Sequence, residues 1–108
     1  MSEHPNYVVR DDTERHRFEI DLGDGTTAFA QYDLLPGQIT FTHTEVPEAH
    51  EGQGIGTALI RSALASARER GLKVIPSCPF FAAYMQKHED VQDLLEASWR
   101  TRFGLPAD

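Results

Sequence analysis

The sequence predicts an α/β domain in which a mixed, mostly antiparallel sheet of about five strands carries two to three helices. Three observations predict it. Segments of polar and apolar alternation at period two fill the first half, punctuated by Asp24-Gly25, Pro36-Gly37 and Pro47. A stripe of Ile60, Ala63, Leu64 and Ala67 then recurs at helical spacing, flanked by Ile55 and Leu59. That helix lies between two strands, which implies a right-handed β-α-β crossover and one parallel pair.

The elements follow in order. Residues 7–10 read as a short strand or ordered arm, which Asp11-Asp12-Thr13 should break. Arg17 to Leu22 alternates as a half-buried strand does, and Asp24-Gly25 signals a hairpin. The return strand, Thr27 to Leu35, sets Ala28, Ala30 and Tyr32 against Phe29 and Gln31. A third strand of this meander, Gln38 to Val46, is expected to carry Ile39, Phe41, His43 and Glu45 on one face. Pro47 ends it, because proline has no N–H for a ladder. The main helix begins near Gly54, and Gly71 suits the position just past its end. Leu72 to Pro76 reads as a strand and Pro79 to His88 as a second helix with proline at its start. Val91 to Leu95 forms a turn or short helix, and the region from Trp99 to Gly104 has no clear pattern.

At 108 residues the chain is read as one domain spanning 1–108. The net charge of −7 and the scatter of its ten Lys and Arg residues argue against nucleic acid and against an anionic membrane surface. A cationic or amine-bearing substrate suits that charge. A single cysteine, Cys78, rules out an internal disulfide and fits a reducing cytoplasm. Met1 to Pro5 lacks the basic and apolar blocks of a secretory leader, and no apolar run reaches the ~20 residues that span a bilayer. No metal site is expected, since the five histidines and one cysteine show no ligand spacing.

The richest segment is His50-Glu51-Gly52-Gln53-Gly54-Ile55-Gly56-Thr57-Ala58-Leu59. Its alternate glycines bare the backbone where strand becomes helix. The helix then aims unpaired amides and its positive dipole end at the same place, which makes an anion site whose most natural occupant is a diphosphate.

Three blocks occur in order: His43-Thr44-Glu45-Val46-Pro47, then Gly52-x-Gly54-Ile55-Gly56-x-x-Leu59, then Pro76-x-Cys78-Pro79-Phe80 followed by Tyr84 and Lys87-His88. Together they resemble the short, single-domain members of the GNAT superfamily of N-acetyltransferases, over about residues 15–95. The resemblance implies a cofactor, acetyl-CoA or coenzyme A, and a gap between Thr42–Val46 and Val74–Cys78 that receives its pantetheine arm. It implies that the Val46 N–H polarises the thioester carbonyl. It implies that the segment Glu51, Gly52, Gln53, Gly54, Ile55, Gly56 and Thr57 holds the diphosphate. One departure concerns Glu51, which stands where the superfamily usually has Arg or Gln; a carboxylate there repels a diphosphate unless it points into water. The other is the short Leu22–Thr27 connection, where larger members insert helices that wall the acceptor site.

Four side chains are candidates for chemistry. Cys78 lies between a strand and a helix N-terminus, a position that can activate a thiol; the competing reading is a small buried hydrophobe or a cofactor-lining residue. Tyr84 falls where many GNATs carry a tyrosine that protonates the departing thiolate, and packing explains it equally well. His43 and Glu45 can each take a proton from an ammonium, directly or through water, against the reading of solvated strand residues. His88, His50, His16 and His4 have weaker cases, and Phe80, Phe81 and Trp99 read as packing or dimer contacts. The resulting expectation is an acetyl-CoA-dependent N-acetyltransferase acting by direct attack of a primary amine, small molecule or peptide, in a cytoplasmic monomer or weak homodimer. The alternative is a coenzyme A or acyl-CoA binding module with weak or lost catalysis.

Overall fold

A computed structural model describes residues 7–106, so His4 and the leader reading of Met1 to Pro5 fall outside the described residues. Five strands form one sheet in the order β1 (Arg10–Asp12), β2 (Arg17–Asp21), β3 (Thr27–Leu35), β4 (Gln38–Glu45) and β5 (Lys73–Pro76). The first four pair antiparallel and β5 joins β4 in parallel. Between β4 and β5 run a 3-10 turn, Glu48–His50, and α1 (Ile55–Glu69); α2 (Pro79–Lys87), a 3-10 segment (Glu89–Leu94) and α3 (Ala97–Arg102) follow. No described helix is long and apolar enough to cross a membrane.

Phe18, Ile20, Ala28, Ala30, Tyr32, Ile39 and Phe41 line one sheet face and are buried against Ile55, Leu59, Ile60, Ala63, Leu64 and Ala67 of α1. The seam read from the sequence is thus the buried one. Phe41 stacks on Phe81 of α2 with ring centroids 4.1 Å apart and planes within 7°, which ties the second helix to the sheet. At the end of α1, Gly71 takes φ +67. Leu72 N–H donates to Ala67 O at 2.9 Å and Gly71 N–H to Arg68 O at 3.2 Å, the paired bonds of a Schellman cap.

The first strand is Arg10–Asp12, not residues 7–10. Asp11 and Asp12 continue the pairing because this edge strand lays Arg10 opposite Glu19 and Asp12 opposite Arg17, so cross-strand charge complementarity outweighs their low strand propensity. Glu19, 4% exposed, is held by Arg10 and by Arg17 Nε at 2.8 Å. Hydrogen bonding from Arg10 leads the causes that hold the Glu19 carboxyl below its usual pKa, and Arg17 adds to it.

The outer face carries a second correction. Gln31 lies opposite His43 but Tyr32 lies opposite Phe41, so Thr42 has no partner and β4 bulges there. The extra residue inverts the alternation. Ile39 and Phe41 face the core, whereas His43 and Glu45 turn to the outer face and Thr44, opposite Ala30, takes the core side. Ile39, Phe41, His43 and Glu45 therefore do not share a face.

Two substitutions test this architecture. Phe41→Ala removes the sheet's contact with α2 and should cost about 3–5 kcal/mol in urea unfolding. Gly71→Ala meets open space but an unfavourable φ, and should cost about 1–2 kcal/mol with an unchanged m-value.

Candidate functional site

The site is built where β4 and β5 part. Their parallel ladder runs from Gln38 opposite Lys73 to Phe41 opposite Pro76, and its last rung is Cys78 N–H to Phe41 O at 2.8 Å. Pro76 offers no N–H, and Ser77 N–H turns back to Ile75 O at 3.1 Å, a tight turn that takes the chain out of the sheet. Beyond the Thr42 bulge, His43 to Glu45 pair with β3 on one side and have no β5 partner on the other. The gap expected between Thr42–Val46 and Val74–Cys78 is present from Thr42 onward.

Thr44 and Cys78 stand on the two lips of this gap, with Oγ1 and Sγ 3.3 Å apart. Cys78 is 4% exposed and caps the N-terminus of α2. Val46, half-buried, follows the end of β4 and packs against the core.

The glycine-rich turn adjoins the gap. Gly52 and Gly54 take φ +82 and +79, conformations that L side chains resist. Gly54 is the N-cap of α1 and contributes no side-chain cap, and the first turn holds no acidic residue. The amides of Ile55, Gly56 and Thr57 have no acceptor within the helix, and the helix dipole lies behind them. Glu51 and Gln53 are exposed. Gly56 has a different reason to be glycine: a Cβ there would lie 2.3 Å from the Phe80 ring. Phe80, 47% exposed, thus rests on the first turn of α1 instead of in the core, where Phe81 lies.

Tyr84 occupies the groove between α1 and α2. Its ring stacks on His88 with centroids 3.8 Å apart, and its hydroxyl accepts from Arg61 Nε at 3.3 Å. His88 Nδ1 lies 2.7 Å from Tyr84 O, so the imidazole serves the helix end. The groove, about 430 Å³ in volume, continues past Arg61, Leu64, Arg68 and Val91. Its neighbour, about 210 Å³, is lined by Thr57, Ile60, Phe80 and Lys87 and links it to the α1 N-terminus.

On the outer face, His43 Nε2 and Glu45 Oε1 are 3.2 Å apart and exposed. His43 packs at 6.1 Å from the Phe29 ring, and the Arg17 guanidinium lies 4.6 Å above that same ring. No helix covers this face among the described residues. The structure therefore joins Thr44 with Cys78, and His43 with Glu45, but places Tyr84 in a separate groove with Arg61. Sequence reasoning missed Thr44 and Arg61. Thr44 was hidden by the bulge; Arg61 lies at helical spacing from Thr57, the one signal that pointed to its face.

Several comparisons bear on this geometry. Residues 17–94 match the profile of the GCN5-related N-acetyl-transferase family. The protein named NATD1 in Mus musculus is 32% identical over 82 residues, covering 74% of each chain, and its Homo sapiens counterpart is likewise 32% identical over 82 residues. A solution NMR structure of a GCN5-like protein from Staphylococcus aureus superposes with a TM-score of 0.66 at 29% identity, covering 84% of this chain and 89% of that one.

A double-mutant cycle tests the Phe80 contact. Gly56→Ala alone should displace the Phe80 ring, visible as altered ring-current shifts in α1. In the Phe80→Ala background the same change should stabilise by up to about 1 kcal/mol, the helix preference of alanine over glycine.

Proposed function

This chain belongs to the GCN5-related N-acetyltransferase family, and on that footing we propose that it transfers an acetyl group from acetyl-CoA to a primary amine by direct attack on the thioester. One observation carries the reading: an unpaired stretch of β4 opens beside a helix N-terminus with a left-handed glycine cap and no acid in its first turn. The gap fits a pantetheine arm lying as an extra strand, and the turn fits a diphosphate.

The roles follow from position. The amine nitrogen attacks the carbonyl carbon, the C–S bond breaks, and the thiolate leaves with a proton. The Val46 amide polarises the carbonyl oxygen. His43 and Glu45, on the open outer face, take the ammonium proton directly or through water. Tyr84, six residues after Cys78 along α2, is assigned donation to the thiolate as the cofactor's arm passes from the gap toward the groove: Arg61 occupies the phenol oxygen as a donor, which leaves the phenol's own hydrogen available. Thr44 and Cys78 line the thioester position without forming a covalent intermediate. Surrounded by solvent on the outer face, the acceptor site suits a small amine or a peptide end. A second reading, a coenzyme A binding module with weak catalysis, is favoured by that same lack of a wall around the acceptor.

Calorimetric titration with acetyl-CoA, followed by release of free thiol in the presence of an amine panel, tests the proposal. Binding with amine-dependent thiol release is expected; binding without release at any amine supports the second reading, and no binding sinks both. In the first case Tyr84→Phe should lower kcat by about 10²-fold with little change in KM, while Cys78→Ala keeps most turnover. A stable acetyl group on Cys78 would overturn direct transfer.

Charge gives a further test. Two unit charges ~7 Å apart in water interact by about 0.6 kcal/mol, so Glu51→Gln should tighten coenzyme A about threefold per facing phosphate charge. The gain should shrink at high salt. An unchanged affinity would show Glu51 directed into water.

A further inference from the structure

We propose that His50, anchored by Asp24, is a positioning residue for the glycine-rich turn, so that coenzyme A affinity falls as His50 loses its proton. The proposal rests on the coenzyme A reading above. His50 closes the 3-10 turn just before the glycines. Its Nε2 lies 2.7 Å from Asp24 Oδ2 in the β2–β3 turn, and its Nδ1 lies 3.4 Å from Gln53 Oε1 in the glycine-rich turn. Both ring nitrogens face acceptor oxygens, an arrangement that the doubly protonated ring satisfies by donating twice.

The anchor is itself fixed. The Asp24 Oδ1 accepts from Thr26 N–H at 3.0 Å and from Thr26 Oγ1 at 2.5 Å. From the other side Tyr7 donates its hydroxyl to Gln53 O at 2.9 Å. Gly52 lies between His50 and Gln53, and Gly54 follows Gln53; both take positive φ. Glycine's freedom makes the turn possible, but it also lets the amides wander, and the clasp removes that freedom before a ligand arrives. The short hairpin that leaves the acceptor site open thus reaches the anion turn instead. The imidazolium also adds a cation beside a turn that otherwise exposes Glu48 and Glu51 on the same segment.

The Asp24 hydrogen bond leads the causes that raise the His50 pKa above its ordinary 6.5, burial opposes it, and Gln53 adds to it. Thr26 first, and His50 next, hold the Asp24 carboxyl far below its usual range. The doubly donating clasp is therefore complete at and below pH 6.5 and persists down to strongly acidic pH; as pH rises through the raised His50 value the ring loses its charge and one N–H, and can then donate to Asp24 or to Gln53 but not to both. Asp24 is the charged group facing the ring from the hairpin turn, and the Gln53 amide faces it from the glycine-rich turn.

Amide NMR of the ligand-free protein between about pH 5 and about pH 9 reads the clasp without any ligand. The Gly52, Gly54 and Gly56 amides should titrate together with a midpoint above 6.5 in the wild type and stay flat in His50→Gln. Asp24→Asn should lower that midpoint. Calorimetry then uses 3′-dephospho-coenzyme A, which lacks the phosphomonoester that itself titrates near pH 6. Its affinity should fall on the order of tenfold across the His50 midpoint in the wild type, and not in His50→Gln. Flat amides in the wild type, or an identical affinity profile in His50→Gln, would overturn the proposal. Titrating amides with no binding at any pH would overturn it through its premise, the coenzyme A reading, and leave the clasp itself standing.

Discussion

The fold's one consequential bond is Cys78 N–H to Phe41 O, the last rung between β4 and β5. Beyond it the two strands follow different partners. Pro76 cannot extend the ladder, and the turn at Ser77 aims the chain into α2; on the other side Thr42 bulges and β4 keeps only β3. Phe41 lies at the hinge of this divergence and stacks on Phe81 one turn into α2. A single aromatic pair therefore fixes the end of the ladder, the start of the helix and the width of the opening between them. The lips bear Thr44 and Cys78 because the bulge brings Thr44 to the core side and the cap of α2 brings Cys78 to meet it.

For an acidic chain proposed to receive a polyanion, distance decides the electrostatics. At physiological ionic strength the screening length is about 8 Å, so most of the −7 net charge is screened at the turn. What remains is local: a helix dipole, a first turn without acids, and the His50 imidazole drawn toward protonation by Asp24. The Asp24 charge is itself spent on His50 and Thr26 and does not face the amides alone. Acidity of the rest of the surface then bears on the outer face, where Glu45 meets solvent and where the proposed amine would approach.

Most of the architecture was legible because hydrophobic periodicity and glycine or proline punctuation agreed. The α1 stripe, the Gly71 cap and the β-α-β crossover all follow from spacing alone. The bulge was not legible. After Phe41 the strand reads Thr, His, Thr, Glu, and no apolar residue marks which face is inward, so an inserted residue leaves no trace in the alternation. That one slip moved His43 and Glu45 to the outer face and concealed Thr44. Gly56 shows the complementary limit. Its place in a glycine-rich motif points to backbone close to phosphate and gives no sign that the Phe80 ring fills the space its missing Cβ leaves. His50 could be read only as a weak candidate because its partner is 26 residues away, in a turn whose direction no local pattern reveals.

The far side of β5 shows how the small sheet manages its edge. Val74 bridges Leu95, and Glu96 N–H donates to Val74 O at 3.0 Å, so a strand edge that would invite pairing is closed by a single extended step. Arg68 secures that closure from α1, reaching Asp93 Oδ2 at 2.8 Å and Oδ1 at 2.9 Å. The outer sheet face receives no such cover among the described residues; its side chains satisfy one another through the Arg10–Glu19–Arg17 bridge and the contacts of the Phe29 ring with Arg17 and His43. Stability is thus concentrated on the helix side, and the acceptor side is left polar, self-paired and open. In the proposed reaction, selectivity for an amine rests on the few groups beside the gap, His43, Glu45 and Phe29, because no enclosing wall adds buried contacts to discriminate among acceptors.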